Sequence, residues 1–204
     1  MLEMVTGLVL AGGLGSRIGG DKAGVELGGA PLLQWVVSAL EHVVSGFVFS
    51  VAPDQSLPRM RFRAPALVCE DLLPARGPLA GIFSGLKASP TNHVLVVPCD
   101  APFVQPEVLK LLVSLRHGFD AVVPVVGGRR EPLIAAYAQS CVTPMEIALN
   151  SGDWSLQTLL PALHVRYVDE EELRAVDPHL RSFVNVNTPA ELEAANSALA
   201  PVRR

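Results

Sequence analysis

Short apolar runs at residues 5–10, 47–51, 67–69 and 94–97 contain almost no polar alternation, so each suits a strand buried on both faces rather than on one. Helical patterns at 31–44 and 78–88 separate them. Beyond residue 100 the pattern continues with helices at 106–115, 143–150 and 155–160, strands at 121–125, 133–137 and 164–168, and a final helix from Pro189. Strand and helix in alternation predict an α/β fold: a doubly wound, mostly parallel sheet with helices on both faces. Pro31, Pro78, Pro106 and Pro189 fall where a first helical turn is expected and a missing N–H costs nothing. The stretch 54–65 reads as a surface loop and 201–204 as a frayed tail of one domain covering 1–204.

Open α/β sheets bind ligands beyond the carboxyl ends of their strands. The first run ends there in Gly7-Leu8-Val9-Leu10-Ala11-Gly12-Gly13-Leu14-Gly15-Ser16-Arg17-Ile18-Gly19-Gly20-Asp21-Lys22, a glycine loop with one arginine and one lysine. Glycines let consecutive N–H groups approach an anion, and the cations add charge where phosphates would sit. Two phosphate loops fail on spacing. A G-x-x-x-x-G-K-[ST] loop would need a hydroxyl after Lys22, where Ala23 stands, and G-x-G-x-x-G places its third glycine at Ile18. A plain glycine-rich turn between strand and helix is the alternative.

Asp100 follows Val94-Leu95-Val96-Val97-Pro98-Cys99, a run too apolar to carry a charge without a cation nearby. One aspartate facing a polyphosphate loop suits Mg²⁺, which takes few protein carboxylates and completes its shell with phosphates and water. An N-cap for the helix at Pro106 is the structural alternative. Asp71 can be a second metal ligand, a contact to a base or sugar, or a turn residue. Arg17 and Lys22 can bracket phosphates or simply be solvated. Gly77-Pro78-Leu79-Ala80-Gly81 leads into a helix whose first N–H groups can meet a ligand. Asn185 and Asn187 alternate on an extended segment, so both amides face one way.

A net charge of −4 with no long basic run argues against an electrostatic grip on nucleic acid. No stretch suits a membrane span, and the N-terminus carries no signal-peptide pattern, so a cytoplasmic location is expected. Cys69, Cys99 and Cys141 lack disulfide or zinc spacing and read as small buried hydrophobes. The histidines are dispersed.

In order along the chain, Leu10-Ala11-Gly12-Gly13 with Arg17, Gly19-Gly20-Asp21-Lys22, Gly77-Pro78-Leu79-Ala80-Gly81, Pro98-Cys99-Asp100-Ala101-Pro102, Pro132-Leu133 and Asn185-Val186-Asn187-Thr188-Pro189 resemble the molybdenum cofactor guanylyltransferases of the molybdopterin nucleotidyltransferase superfamily. The resemblance implies a nucleotide-diphospho-sugar-transferase-like fold. It also implies transfer of GMP from Mg²⁺-GTP to molybdenum-loaded molybdopterin, with transient delivery to molybdoenzymes or their chaperones. By the same resemblance Leu10, Ala11, Gly12, Gly13, Lys22, Asp71, Gly77 and Asp100 would bind GTP, Arg17, Lys22 and Asp100 would serve catalysis, Asp100 would hold Mg²⁺, and Asn185 and Asn187 would face the pterin. Two departures stand out. Gly152-Asp153-Trp154-Ser155-Leu156-Gln157 lacks the basic residues the family often has after that glycine, and the second strand offers Ser50 and Ala52 where relatives can place an asparagine.

The expected chemistry is in-line attack by the terminal phosphate of the pterin on the α-phosphorus of GTP. A phosphate monoester is largely dianionic near neutral pH, its second pKa being about 6, so no general base is required. A cytidylyltransferase, a sugar-1-phosphate nucleotidyltransferase and a non-catalytic cofactor carrier are the rival readings.

Overall fold

A computed structural model describes residues 4–12, 14–15, 20–72 and 77–199. Its main sheet has eight strands: β1 (Thr6–Leu10), β2 (Gly46–Val51), β3 (Ala66–Glu70), β4 (His93–Pro98), β5 (Ala121–Val126), β6 (Arg129–Arg130), β7 (Ala135–Ala138) and β8 (Val165–Val168). The helices are α1 (Leu32–Leu40), α2 (Gly77–Ala88), α3 (Pro106–Ser114), α4 (Val142–Ser151), α5 (Leu156–Leu159), α6 (Glu170–Arg174) and α7 (Pro189–Leu199).

β1 is central. It pairs in parallel with β2 on one side and β4 on the other, and β3 extends the sheet beyond β2. Alternate residues of these strands feed two cores. Val9, Phe47, Phe49, Leu95 and Val97 pack under α1 and α3, whereas Leu8, Val48, Val94 and Val96 pack under α2. Full burial of such a side chain contributes about 1.5–3 kcal/mol, which is why both faces of these strands are apolar.

The sheet is not wholly parallel. β7 runs antiparallel to both β4 and β5, while β8 is parallel to β5. β5 and β6 form a hairpin whose two turn residues, Gly127 and Gly128, have φ of +55° and +75°; this primed turn matches strand twist and demands residues that tolerate positive φ. β6 and β7 occupy one lane beside β5. Arg130 lies opposite Val125 and Ala136 opposite Val122, so six steps along this lane match three along β5. The surplus forms a turn over 131–134, closed by Ile134 N–H donating to the Glu131 carbonyl at 3.3 Å. The strand expected from Leu133 therefore begins at Ala135.

Several local expectations shift. Pro31 is the N-cap of α1 rather than a first-turn residue, and α1 stops at Leu40. The stretch 54–65 has no strand or helix, yet it is anchored: Phe62 packs edge-on to Phe47 at 5.6 Å, and Gln34 exchanges hydrogen bonds with the Arg61 backbone. Its apolar residues thus belong to the core under α1. Cys99 and Cys141 are buried, but Cys69 is only half-buried. Residues 201–204 lie outside the described residues. Ahead of α1, a short hairpin pairs Glu26–Leu27 with Ala30–Pro31. The C-terminal helix clamps it: Asn196 Oδ1 accepts from Gly28 N–H at 2.9 Å, and Leu27 is buried with Val186 and Ala195.

α2 lies very close to β1 because Gly85 has no side chain. A Cβ there would stand 2.2 Å from Leu8 Cδ1 and 2.9 Å from its Cγ. Overpacking costs about 1–3 kcal/mol and alanine's helix preference returns about 1, so Gly85→Ala should lower the stability by about 1 kcal/mol. Combining it with Leu8→Ala, which makes room, should cost less than the two single losses added together, as a double-mutant cycle in denaturant will measure.

Candidate active site

The parallel strands β1, β2, β3 and β4 end at one edge of the sheet, and the segments leaving them are tied to one another by backbone hydrogen bonds. Ala11 and Gly12 both donate to the Ser50 carbonyl, at 2.8 and 2.9 Å, and Cys99 donates to the Leu10 carbonyl at 3.1 Å. Gly12 is held against β2 so closely that a Cβ would lie 3.0 Å from Ala52 N and 3.2 Å from the Val51 carbonyl carbon. Only glycine permits that approach without displacing backbone. Gln55 closes the far side, its amide donating to the Ala11 carbonyl at 3.0 Å while its carbonyl accepts from Ala52 N–H.

Asp71 stands just beyond β3. Its N–H donates to the Val51 carbonyl at 2.9 Å, and Oδ1 accepts a 2.5 Å hydrogen bond from Ser50 Oγ. The following residue, Leu72, donates to Ser84 Oγ of α2. Burial pushes the Asp71 carboxyl above the usual carboxylate range, and the Ser50 hydrogen bond pulls in the opposite direction. The neighbouring Cys69 thiol is pushed up to about 11 by burial and then by the charge on Asp71, so it stays protonated and unreactive near neutrality. Gly81 leaves the space this arrangement needs: a Cβ there would lie 3.0 Å from Ser50 Oγ and 3.4 Å from Asp71 Oδ1.

Asp100 is 9% exposed, two residues past the end of β4. It does not cap α3; Gln105 occupies that position, without a side-chain cap bond. The Asp100 carbonyl instead accepts from Val186 N–H at 2.8 Å. That bond draws the segment 184–187 alongside, and burial of Val186 turns Asn185 and Asn187 to its opposite face. The segment is not a strand of any sheet.

The structure thus brings Leu10, Ala11, Gly12, Asp71, Asp100 and the segment bearing Asn185 and Asn187 to one edge. Gly77 opens α2 with φ of +70°, and the first N–H groups of a helix have no intrahelical acceptor. Lys22 begins a single 3₁₀ turn, Lys22–Gly24. Arg17 and Gly13 lie outside the described residues. Ser84 and Gln55 carry no sequence signal for this edge, whereas Ser50 appears there only as the residue standing where relatives can place an asparagine and Gly81 only within the Gly77–Gly81 motif. A serine buried in an apolar strand reads as core until its partner is known.

No three His, Cys, Asp or Glu side chains converge as a metal cage among the described residues. A cation at Asp100 would therefore share its shell with phosphate oxygens and water, a division that suits Mg²⁺.

Residues 7–167 match the family model of the MobA-like NTP transferase domain. The chain is 34% identical over 190 residues to a probable molybdenum cofactor guanylyltransferase of Pelotomaculum thermopropionicum, covering 93% of this chain and 91% of that one. It is also 34% identical over 200 residues to the molybdenum cofactor guanylyltransferase of Desulfosudis oleivorans, covering 97% of each. Among solved structures, molybdopterin-guanine dinucleotide biosynthesis protein A from Archaeoglobus fulgidus superposes with a TM-score of 0.80 at 34% identity, covering 95% of this chain and 98% of that one. The 2-C-methyl-D-erythritol 4-phosphate cytidylyltransferase of Thermus thermophilus shares the fold, with a TM-score of 0.71 at 20% identity over 96% of this chain and 98% of that one.

Because folding raises the Asp71 pKa, the ionised carboxylate opposes folding, and its protonation on acidification favours the folded state. Asp71→Asn should therefore unfold at an equal or higher temperature than the wild type at pH 7. That advantage should shrink as the pH falls through the carboxylate range, measured by thermal melts from pH 7 to pH 4.

Proposed function

The chain belongs to the MobA-like NTP transferase family, and we propose that it transfers GMP from Mg²⁺-GTP to molybdenum-loaded molybdopterin, releasing pyrophosphate and forming the guanine dinucleotide cofactor. The whole chain serves as one nucleotidyltransferase domain in this reading. The observation that carries it is the juxtaposition of the Ala11–Gly12 backbone with Asp100 across the 3.1 Å bond from Cys99 N–H to the Leu10 carbonyl. The carboxyl ends of adjacent parallel strands are where open α/β sheets bind ligands, and a cation with a phosphate chain suits a buried carboxylate beside a close-packed glycine backbone.

The roles follow from position. Leu10, Ala11, Gly12 and Gly13 line the nucleotide, Arg17 and Lys22 neutralise the triphosphate, and the start of α2 at Gly77 offers N–H donors to a polar edge of GTP. Asp71, held by Ser50 at 2.5 Å, is oriented to accept from the base or ribose. Asp100 would hold Mg²⁺ together with the triphosphate, and the ion when bound would supply charge neutralisation on the phosphate oxygens. Asn185 and Asn187, fixed by the Val186 to Asp100 bond, contact the pterin. The nucleophile arrives as a phosphate dianion, so alignment and charge stabilisation suffice and no residue need remove a proton.

No helix among the described residues is long and apolar enough to cross a membrane, and we place the reaction in the cytoplasm, with the product passing transiently to molybdoenzymes or their chaperones.

Asp100→Ala should lower GMP transfer by about a hundredfold or more while unfolding stays cooperative; wild-type turnover in that variant would end the metal assignment. Pyrophosphate release measured with GTP and CTP, each with molybdenum-loaded molybdopterin, tests the substrate pair. Release with GTP alone is expected. Equal release with CTP would overturn the base assignment, and tight binding of both substrates without release would favour a carrier.

A further inference from the structure

β4 has neighbours on both sides for most of its length, but only one side persists to its end. Toward β1 the pairing runs through Leu10 opposite Pro98, and Cys99 N–H still donates to the Leu10 carbonyl at 3.1 Å. Toward β7 the ladder ends at Ala135 opposite Val96. Backbone N–H groups alternate sides along a strand, so the residue before Cys99 would direct its donor toward the lane of β7. That residue is Pro98, which has none. At the same level the lane swings out through the turn at 131–134, so strand and neighbour part company where Asp100 is about to enter.

The turn is firmly built. Glu131 N–H donates to the Pro124 carbonyl at 2.8 Å, its carbonyl accepts from Ile134, and Tyr137, wholly buried, donates its hydroxyl to the Pro132 carbonyl at 2.8 Å. β5 runs parallel to β4, and its ladder with Ala136 sets Val122 level with Leu95. By that register Pro124, and with it Glu131, is level with Val97, close to the end of β4. Glu131 is half-buried, and its carboxylate makes no hydrogen bond with any described residue. Burial pushes its carboxyl up, opposed by the positive charge of Arg129. A rigid backbone thus presents a partly desolvated acceptor pair that serves no visible structural bond.

In-line displacement puts the attacking and leaving oxygens on opposite sides of the reacting phosphorus. With the Ala11–Gly12 backbone after β1 on one side of β4, the acceptor belongs on the other, the side of Glu131. We propose that Glu131 is an acceptor-specificity residue whose carboxylate pairs with adjacent N–H donors on the aminopyrimidinone edge of the incoming pterin. The assignment rests on the GMP-transfer reading for the identity of the acceptor. Two carboxylate oxygens side by side match two neighbouring donors of such a ring, and the bond is charge-assisted.

The test compares wild type, Glu131→Gln and Glu131→Ala for equilibrium binding of molybdopterin, followed by anaerobic titration calorimetry without nucleotide, and for GTP binding and GMP transfer in the same preparations. Both variants should bind molybdopterin at least about tenfold more weakly and show the same rise in KM for it, with GTP affinity and the Mg²⁺ midpoint unchanged. Unchanged molybdopterin binding overturns the proposal. So does a shift in the Mg²⁺ midpoint or in GTP affinity equal to that for the pterin, which would make Glu131 a metal or nucleotide residue, and so does a wild type that does not bind molybdopterin. If the wild type binds it and only the variants lose it, yet no GMP is transferred, Glu131 keeps its assignment and the transferase reading falls.

Discussion

The end of β1 is the constraint on which the site depends. Its last carbonyl accepts from the segment leaving β4, and the two N–H groups that follow both reach the Ser50 carbonyl on β2. This one backbone junction fixes the relative positions of Ala11–Gly12, Asp71 and Asp100, which come from chain segments far apart in sequence. Such a junction needs a residue without Cβ at Gly12, because the loop turns against the backbone of β2 rather than its side chains. The parallel pairing of β1 with both neighbours supplies the rigidity, and the two apolar layers hold the pairing in place.

Polar groups around this junction fall into two classes. Ser84 and Gln55 satisfy backbone groups of the segments that carry the site, so their work is positional. Asp71 sits above its ordinary pKa through burial, despite the serine that supports it. A group kept at a stability cost at the carboxyl edge of a parallel sheet is the kind that functional sites accumulate.

Much of this was legible in the sequence because it depends on local signals. Continuous apolar runs such as 94–97 announce strands with two buried faces, and carboxyl-end residues such as Asp100 then follow from topology. The reversal of β7 was not legible, since Ala135–Ala138 is apolar like the parallel strands of the sheet and strand direction leaves no mark in composition. The turn at 131–134 was hidden for a related reason: Leu133 and Ile134 look like the start of a strand, and only the register against β5 shows three surplus residues. Ser50 stood out only as a departure from the family pattern, with no partner assigned, because that partner is twenty-one residues away and no periodicity connects a strand residue to the end of the next strand. Pro31 followed the general preference but fell one position early, where the preceding hairpin already fixes its conformation.

Pro98 also bears on how the chain avoids folding wrongly. β4 and β7 are both short, and the buried Tyr137, bonded to the Pro132 carbonyl, pins the register of one against the other. Extension of the ladder beyond Ala135 would zip the end of β4 to the chain ahead of it. Pairing needs a donor at that step, and the ring at Pro98 has replaced it. The proline is therefore a stop in the ladder, and the parting of β4 from β7 ahead of Asp100 is matched by a hydrogen that the chain never had.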